Sequence, residues 1–535
     1  QHLFRTTNEG QSWERISPDL TRADPATLGD SGGPITKDQN GPEIYATLYT
    51  IAPSHLEANT IWVGSDDGLV HITRDGGRSW QDVTPPALPQ FTRVSLIEAS
   101  WHHAGTAFLA ANRYELDDRR PYVFRTDDYG KTWRKITAGI PENDFARALR
   151  EDPKRADLLY LGTEHGVYVS FDGGGNWQSL ALNLPDTQVP DLVVEDDDLV
   201  IATHGRSFYV LDGISALRQF TPALAGEKVH LFAPATAIRP LRPARIDYFL
   251  AAPVQTLTLT ILDAAGKTVA TFSSAESEKP APAAAAGAEE APGIPAAVPA
   301  RTPERKPGLN RFVWDMRYPG ATAFPGMVLR GGNPSAGPLA VPGKYQVQLT
   351  ADGITQTQPL TIIKDPRLTR VSQDDLEQQF ALASQVRDAT THANQMVIRI
   401  RELKRQIADR VAKVPQLAGA GRALAGRLGQ VEEAIYQVRN RSPRDTLNYP
   451  IKLNNQLAVL MGYVEMGESK PTEQMYTVFR DLSARLAELR AQLETTIQSD
   501  LAAFNKQLRD AGAEPVGGVS AEPFRERLKM RFAQR

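Results

Sequence analysis

The feature that most constrains the fold is a short motif that occurs four times in the first part of the chain. Its copies, TTNEGQSW, TRDGGRSW, TDDYGKTW and SFDGGGNW, begin at residues 6, 73, 126 and 170. In each copy a Ser or Thr is followed two residues later by Asp or Asn, then by Gly, and finally by Trp. A motif that recurs in this way indicates a repeated structural unit before it indicates a catalytic site.

The chemistry of the motif is that of a tight turn. Asp and Asn accept hydrogen bonds from backbone N–H groups that follow them, and Gly supplies the positive φ angle of the turn. Trp is expected to pack its ring into the adjoining core. We therefore predict turn-forming, structural roles for eight motif residues: Asn8, Trp13, Asp75, Trp80, Asp128, Trp133, Asp172 and Trp177.

Short apolar strands flank the motifs. The segments IWVGSDDGLVHIT (61–73) and LYLGTEHGVYVS (159–170) each contain a strand, a polar turn with Gly and a second strand that leads into the motif. The segment LVIATHGRSFYVLD (199–212) keeps both strands without the motif. This pattern predicts an antiparallel all-β array. The interval between the last two motifs is typical of one four-stranded blade, so a β-propeller is predicted over residues 1–227.

The four motifs resemble Asp boxes, which occur in sialidases, xyloglucanase-type glycosidases and sortilin (VPS10) propellers. Together with LVIATHGRSFYVLD, the segment YLGTEHGVYVSFDGGGNW is most similar to bacterial sortilin-like proteins that are often labelled glycosyl hydrolases. The resemblance implies more blades than this chain contains, so residues 1–227 are expected to be the C-terminal part of a longer propeller. It also implies export to the periplasm, the cell surface or the medium, and a ligand face away from the boxes.

The remainder of the chain predicts two further domains. Residues 228–370 alternate apolar and polar side chains, which predicts a β-sandwich, and GLNRFVWDMRYPG and VPGKYQVQLT look like parts of Ig-like modules. An Ala/Pro-rich insertion at 273–308 is expected to be disordered.

Residues 371–511 show apolar positions at three- and four-residue steps, which predicts a helical bundle. Ser372 and Asp375 form a predicted capping box at its start. Pro415 and the Gly-rich segment 418–429 are expected to separate helices. A basic tail follows at 512–535, and the bundle offers a surface for a protein partner.

Composition narrows the functional classes. The net charge is -3, which argues against a nucleic-acid ligand, and no apolar run is long enough to cross a bilayer. The absence of Cys excludes disulfides, Cys nucleophiles and thiolate metal sites. No phosphate-binding or dinucleotide-binding glycine loop is present. We predict no cofactor and no metal site.

Candidate site residues come from the turns between strands. A glycosidase needs two carboxylates about 5–9 Å apart, and the candidates for such a role are Asp66, Asp67 and Glu164. His165 and His204 occupy equivalent turns of successive blades, so we expect them on one propeller face. Arg206, beside a Gly, is the third predicted ligand-binding residue, because a guanidinium pairs with carboxylate or phosphate.

Two functions stay open at this point. The first is a sortilin-like binding or scaffold protein that captures a peptide, a protein or a glycan on the propeller face. The alternative is a glycoside hydrolase of the Asp-box propeller type that acts on a polysaccharide through a carboxylate pair. The resemblance implies both, and the sequence names no catalytic pair.

Overall fold

A computed structural model describes residues 1–30, 32, 33, 35, 44–275 and 302–517 of the protein. The chain divides into two compact units, Gln1–Gly226 and Glu227–Arg535. The first unit holds small antiparallel sheets, and the second holds a β-sandwich followed by helices. This succession confirms the predicted multidomain architecture, with propeller-type blades first and helices last.

The sheets of the first unit follow one another along the chain. The first has two strands, Phe4–Arg5 (β1) and Glu14–Arg15 (β2). Three four-stranded sheets follow: Leu48–Pro53, Ile61–Ser65, Val70–Thr73 and Gln81–Asp82 (β3–β6); Arg93–Ala99, Ala107–Arg113, Asp118–Thr126 and Arg134–Lys135 (β7–β10); Ala146–Glu151, Leu159–Thr163, Val167–Ser170 and Gln178–Ser179 (β11–β14). The last has three strands, Asp191–Glu195, Asp198–Ala202 and Phe208–Leu211 (β15–β17), and the short helix Ser215–Gln219 (α1) follows it.

The register of the strands separates two ends of each sheet. Gly162 pairs with Val167 beside the turn that joins β12 to β13, whereas Leu159 pairs with Ser170 at the start of the fourth motif. The motif therefore lies at the opposite end of the sheet from that turn. We call the end with the turn between the second and third strands the turn face.

The motif side chains are held in turns by hydrogen bonds. Asp75 Oδ1 accepts the N–H of Ser79 at 2.9 Å, and Asp75 Oδ2 accepts the Ser79 hydroxyl at 2.6 Å. Thr73 Oγ1 accepts the N–H of Gly77 at 2.9 Å. These hydrogen bonds, led by that of the Ser79 hydroxyl, lower the pKa of Asp75 to about 2. The equivalent backbone hydrogen bond is accepted by Asn8, Asp128 and Asp172.

The motif Trp residues connect each sheet to the one before it. The indole N–H of Trp80 donates to the carbonyl of Ile16 at 2.9 Å, and that of Trp177 donates to the carbonyl of Ile136 at 2.7 Å. Trp133 makes the same bond to Val83 at 2.7 Å. Each acceptor directly follows the last strand of the preceding sheet. The motif therefore links neighbouring sheets by a hydrogen bond, in addition to forming a turn.

The first four-stranded sheet has an exposed apolar residue in its first strand, at a position where the later sheets have a buried one. Ile51, Ile97, Leu149 and Leu192 each pair with an apolar residue of the second strand of their own sheet. Ile97, Leu149 and Leu192 are buried, but Ile51 is 52% exposed. Among the residues that the structure describes, the sheet that precedes Ile51 contains only β1 and β2. It has no further strand that could cover the Ile51 side chain.

The second unit begins with two facing sheets that share one apolar core. The smaller sheet contains Val229–Leu231 (β18), Ala244–Leu250 (β20) and Gly308–Trp314 (β23). The larger has the order β19-β27-β26-β21-β22, formed by Ala237–Arg239, Ile354–Lys364, Gly343–Ala351, Leu257–Asp263 and Thr268–Ser273. A small hairpin is formed by Arg317–Pro319 (β24) and Ala336–Leu339 (β25). Most of the predicted disordered insertion, residues 276–301, lies outside the described residues.

Helices complete the second unit around a core of their own. They are Gln373–Lys413 (α2), Ala418–Ile435 (α3), Leu453–Val464 (α4), Glu473–Thr495 (α5) and Ala502–Asp510 (α6), with a π-helical segment, Thr496–Leu501, before α6. Ser372 and Asp375 form the predicted capping box. The predicted basic tail lies outside the described residues from position 518 onward. No helix in the described part of the chain combines the length and the apolarity needed to cross a membrane.

One helix prediction is wrong. The Gly-rich segment 418–429 lies inside α3 and does not separate helices. Gly421 explains why glycine is tolerated there, because a Cβ at this position would lie 2.4 Å from Val411 Cγ2. The close approach of α3 to α2 therefore offsets the low helix propensity of glycine.

Candidate functional site

An open cleft lies on the turn face of the last two sheets. It has a volume of about 420 Å³ and is lined by Glu164, His165, Asp186, Thr187, Gln188, His204, Gly205 and Arg206. Three chain segments form it: the turn between β12 and β13, the turn between β16 and β17, and the link that enters β15. The structure thus brings His165, His204, Arg206 and Glu164 into one cleft.

Glu164 is fully engaged by its neighbours. Its Oε2 accepts hydrogen bonds from Arg147 Nε at 2.9 Å and from Arg147 Nη2 at 2.6 Å. Its Oε1 accepts a hydrogen bond from Gln188 Nε2 at 2.8 Å. The charge of this carboxylate is therefore compensated, and its orientation is fixed before any ligand arrives.

Gln188 connects the two turns of the cleft. Its Oε1 lies 2.7 Å from His204 Nδ1, and its backbone carbonyl accepts the His204 N–H at 3.0 Å. Because Gln188 Nε2 donates to Glu164, its Oε1 is the acceptor for His204, and the proton belongs on Nδ1.

His165 forms an exposed pair with Asp186. Its Nδ1 lies 3.0 Å from Asp186 Oδ1, and the two side chains are 46% and 77% exposed. The N–H of His165 donates to buried Asp144, which also accepts the Tyr168 hydroxyl, so the backbone of this turn is held from beneath. The hydrogen bond with Asp186 is the largest of the effects on His165, and it raises the pKa of that imidazole above 6.5.

The raised pKa of His165 gives a pH-dependent contribution to stability. A histidine whose pKa is higher in the folded state stabilises the fold below pH 6.5, and the contribution disappears as the pH rises through the folded-state pKa. We expect Asp186→Asn to shift the His165 pKa back toward 6.5, as measured by NMR titration of the imidazole. The exposed imidazole of His392, on α2 of the second unit, is followed in the same sample as the internal control. An unchanged His165 titration would contradict the pairing.

Arg206 is the free cation of the cleft. Its side chain is exposed, and within the described part of the chain it makes no hydrogen bond or ion pair. Gly205 before it has φ +85 and open space at its Cβ position. The guanidinium therefore offers its planar set of donors to a ligand that enters the cleft.

Asp66 and Asp67 lie away from this cleft. Asp66 accepts the N–H groups of Ala46 and Thr47 at 3.0 and 2.9 Å, and its burial raises its pKa. Asp67 accepts the Ser65 hydroxyl at 2.5 Å and the N–H of Arg22 at 2.8 Å. Asp66, in the turn between β4 and β5, thus holds the segment that enters β3, and Asp67 in the same turn holds the backbone of Arg22. Asp66 lines a separate, small cavity beside Arg93 and Arg113.

Sequence reasoning missed Asp186, Gln188 and Arg147. Asp186 and Gln188 belong to the link between β14 and β15, where no strand period singles out a residue. One signal was available. The first strand of each sheet begins at the turn face, so the link that leads into β15 has to pass close to the turns that carry His165 and His204. In the described residues no cluster of three or more metal-ligating side chains is present.

The comparisons with known proteins agree with the predicted resemblance. The chain is 33% identical to a vacuolar protein sorting/targeting protein 10 of Laccaria bicolor over 108 residues, which is 19% of this chain and 6% of that protein. It is 25% identical over 186 residues to an oligoxyloglucan-reducing end-specific xyloglucanase of Emericella nidulans, covering 30% of this chain and 22% of that protein. The chain thus spans under a quarter of the length of either relative.

Among solved structures, the chain is similar to a GH74 xyloglucanase from Xanthomonas campestris. The identity is 14%, the TM-score is 0.29, and the match covers 46% of this chain and 38% of that one. No protein-family profile matches the chain. The predicted resemblance to sortilin-type and glycosyl-hydrolase-type propeller proteins is thus matched by the names of the two relatives.

Proposed function

We propose that the protein is a ligand-binding protein that captures a glycan in the cleft on the turn face. The observation that carries this proposal is the lining of the cleft, where every side chain apart from the glycine carries a hydrogen-bonding group and where no Val, Leu, Ile, Met, Phe, Tyr or Trp is present. Hydroxyl-rich ligands form hydrogen bonds with such groups, whereas apolar peptide side chains find no pocket there. An acidic sugar or other carboxylate group suits Arg206 best.

The engagement of the cleft carboxylates favours binding over hydrolysis. Glu164 is bound by Arg147 and Gln188, and Asp186 is paired with His165. A general acid and a nucleophile both need a carboxylate oxygen that reaches the scissile bond. The glycoside hydrolase stays the second candidate, because Glu164 and Asp186 share one cleft and one relative is named a xyloglucanase.

One variant tests the binding role directly. We expect Arg206→Ala to weaken glycan binding by roughly ten- to hundred-fold, because a hydrogen bond to a charged group contributes about 1.5–3 kcal/mol. Calorimetric titration with soluble neutral and uronic-acid oligosaccharides measures the change. Arg119→Ala removes an exposed arginine from β9, outside the cleft, and is the matched control. Equal affinities of the Arg206 and Arg119 variants would overturn the proposal.

The same sugars separate the two candidate functions. Retention without release of reducing ends is the expected result for the binding protein. Release of reducing ends that disappears in Asp186→Asn would establish the hydrolase instead. We also propose an extracytoplasmic location, on the strength of the resemblance, and fractionation of cells that make the natural protein tests it.

A further inference from the structure

The outer face of the larger sheet of the sandwich carries a regular array of uncharged polar side chains. The register places Ser273, Thr258, Thr350 and Thr355 in one row across four strands. The next row contains Thr271, Thr260, Gln348 and Thr357. We call these eight residues the hydroxyl face.

Burial shows that these side chains point away from the core. Leu259, Leu349 and Phe272, which alternate with them, belong to or pack against the core between the two sheets, and Gln356 and Gln358 on β27 bond inward to the β18 backbone. Every residue of the hydroxyl face is exposed or partly exposed. The hydroxyls of Thr350 and Thr355 lie 3.0 Å apart, so these two side chains lie on the same face of β26 and β27.

The spacing of the array is set by the sheet. Neighbouring strands lie about 4.8 Å apart, and alternate residues of one strand lie about 6.8 Å apart. Within the portion of the chain that the structure describes, the side-chain polar atoms of Thr258, Thr260, Thr271, Gln348 and Thr357 have no hydrogen-bond partner. Each Thr hydroxyl, like the side-chain amide of Gln348, can both donate and accept hydrogen bonds.

The propensity of threonine for strands accounts for some of this composition. It does not by itself exclude charged residues, and none of the eight adjoining outward positions is Lys, Arg, Asp or Glu. A face without charge is complementary to a neutral partner. Neither the cavity beside Asp66 nor the cleft at Glu164 includes a residue of this face. A surface outside such an enclosure suits an extended partner better than a small ligand.

We propose that the hydroxyl face is a second binding site, which lies flat against the surface of an insoluble neutral polysaccharide. Sugar hydroxyls donate and accept in the same way as the Ser and Thr side chains, and the two rows offer many such bonds at fixed spacing. This site is independent of the cleft and of the function proposed for it.

The test is co-sedimentation of the full chain with insoluble cellulose, xylan and mannan. The wild-type protein is expected to sediment with at least one of them, and soluble oligosaccharides are expected not to compete. The triple variant Thr258→Val, Thr260→Val, Thr357→Val removes three hydroxyls and keeps β-branched side chains, so we expect an unchanged melting temperature and at least a tenfold lower partition coefficient. Gln348→Lys, which places a charge on the face, is expected to have the same effect.

Controls keep the two sites distinguishable. Thr477→Val removes an exposed hydroxyl from α5 and is expected to bind like the wild type. The cleft variant Arg206→Ala shows whether the cleft contributes to sedimentation. Wild-type binding by the triple variant would overturn the inference. So would sedimentation with a calcium polygalacturonate gel alone, no sedimentation with any neutral polymer, or loss of binding in Arg206→Ala only.

Discussion

Replacement of Trp177 by alanine is expected to lower the free energy of unfolding of the first unit by about 3–5 kcal/mol. The indole is 2% exposed, it belongs to the core between the second and third four-stranded sheets, and its N–H bonds the carbonyl of Ile136. The variant leaves a cavity and a carbonyl that has lost its donor. Hydrogen exchange of peptides from 107–126 and 159–170, followed by mass spectrometry, measures the loss on both sides of the core.

Trp13 provides a matched comparison within the same motif. It stands at the same position of the first copy but is 61% exposed, so we expect Trp13→Ala to change the free energy of unfolding by no more than about 0.5 kcal/mol. If both variants destabilised the unit equally, the effect would belong to the turn and not to intersheet packing. The difference between the two changes in the free energy of unfolding therefore measures the contribution of packing between the sheets.

The sequence carried more information on this part of the fold than on the cleft. The motif predicts a turn, a Gly with positive φ and a Trp that packs into the adjoining core, so its repetition predicts the array. Trp13 departs from this prediction, because its ring is 61% exposed. His165 and His204 were placed on one face because equivalent turns of successive blades must share an end. Asp186 and Gln188 were not predicted, because the link between β14 and β15 shows no strand or helix periodicity that would single them out. What they bond to is decided by tertiary packing.

The same distinction applies to the helices. The capping box of Ser372 and Asp375 is a local signal and was predictable from four residues. The presence of Gly421 within α3 is a tertiary effect, because a Cβ at this position would lie 2.4 Å from Val411 Cγ2 of α2. Sequence propensities can predict a local feature such as the capping box. They cannot predict a feature that depends on the packing of two helices.

The cleft and the hydroxyl face differ in how they are built. Glu164 and His204 are held by Gln188 before a ligand arrives, so these two side chains lose little entropy on binding. The hydroxyl face has unsatisfied groups at regular spacing and no enclosing walls. The first arrangement suits a glycan segment and the second an ordered surface, so the two sites are expected to bind different physical states of a polysaccharide.

Arg239→Ala is expected to destabilise the second unit by about 3–5 kcal/mol, the cost of breaking a buried ion pair. Arg239 is 1% exposed at the end of β19, and its Nε lies 2.9 Å from Glu468 Oε2, in the segment between α4 and α5. It also donates to Gln379 of α2 and, at 3.0 Å, to the carbonyl of Ala340. Its removal leaves a carboxylate, an amide and a carbonyl without their donor.

The consequence reaches beyond one ion pair, because Arg239 belongs to the sandwich while Gln379 and Glu468 belong to the helical part. We therefore expect faster hydrogen exchange in both β26 and α2 of the variant. Arg239→Lys keeps the charge but not the planar set of donors, so an intermediate effect is expected. Arg367→Ala, which removes an exposed arginine paired with Asp365, is expected to change neither element. Faster exchange in β26 with α2 unaffected would mean that the sandwich and the helices unfold independently.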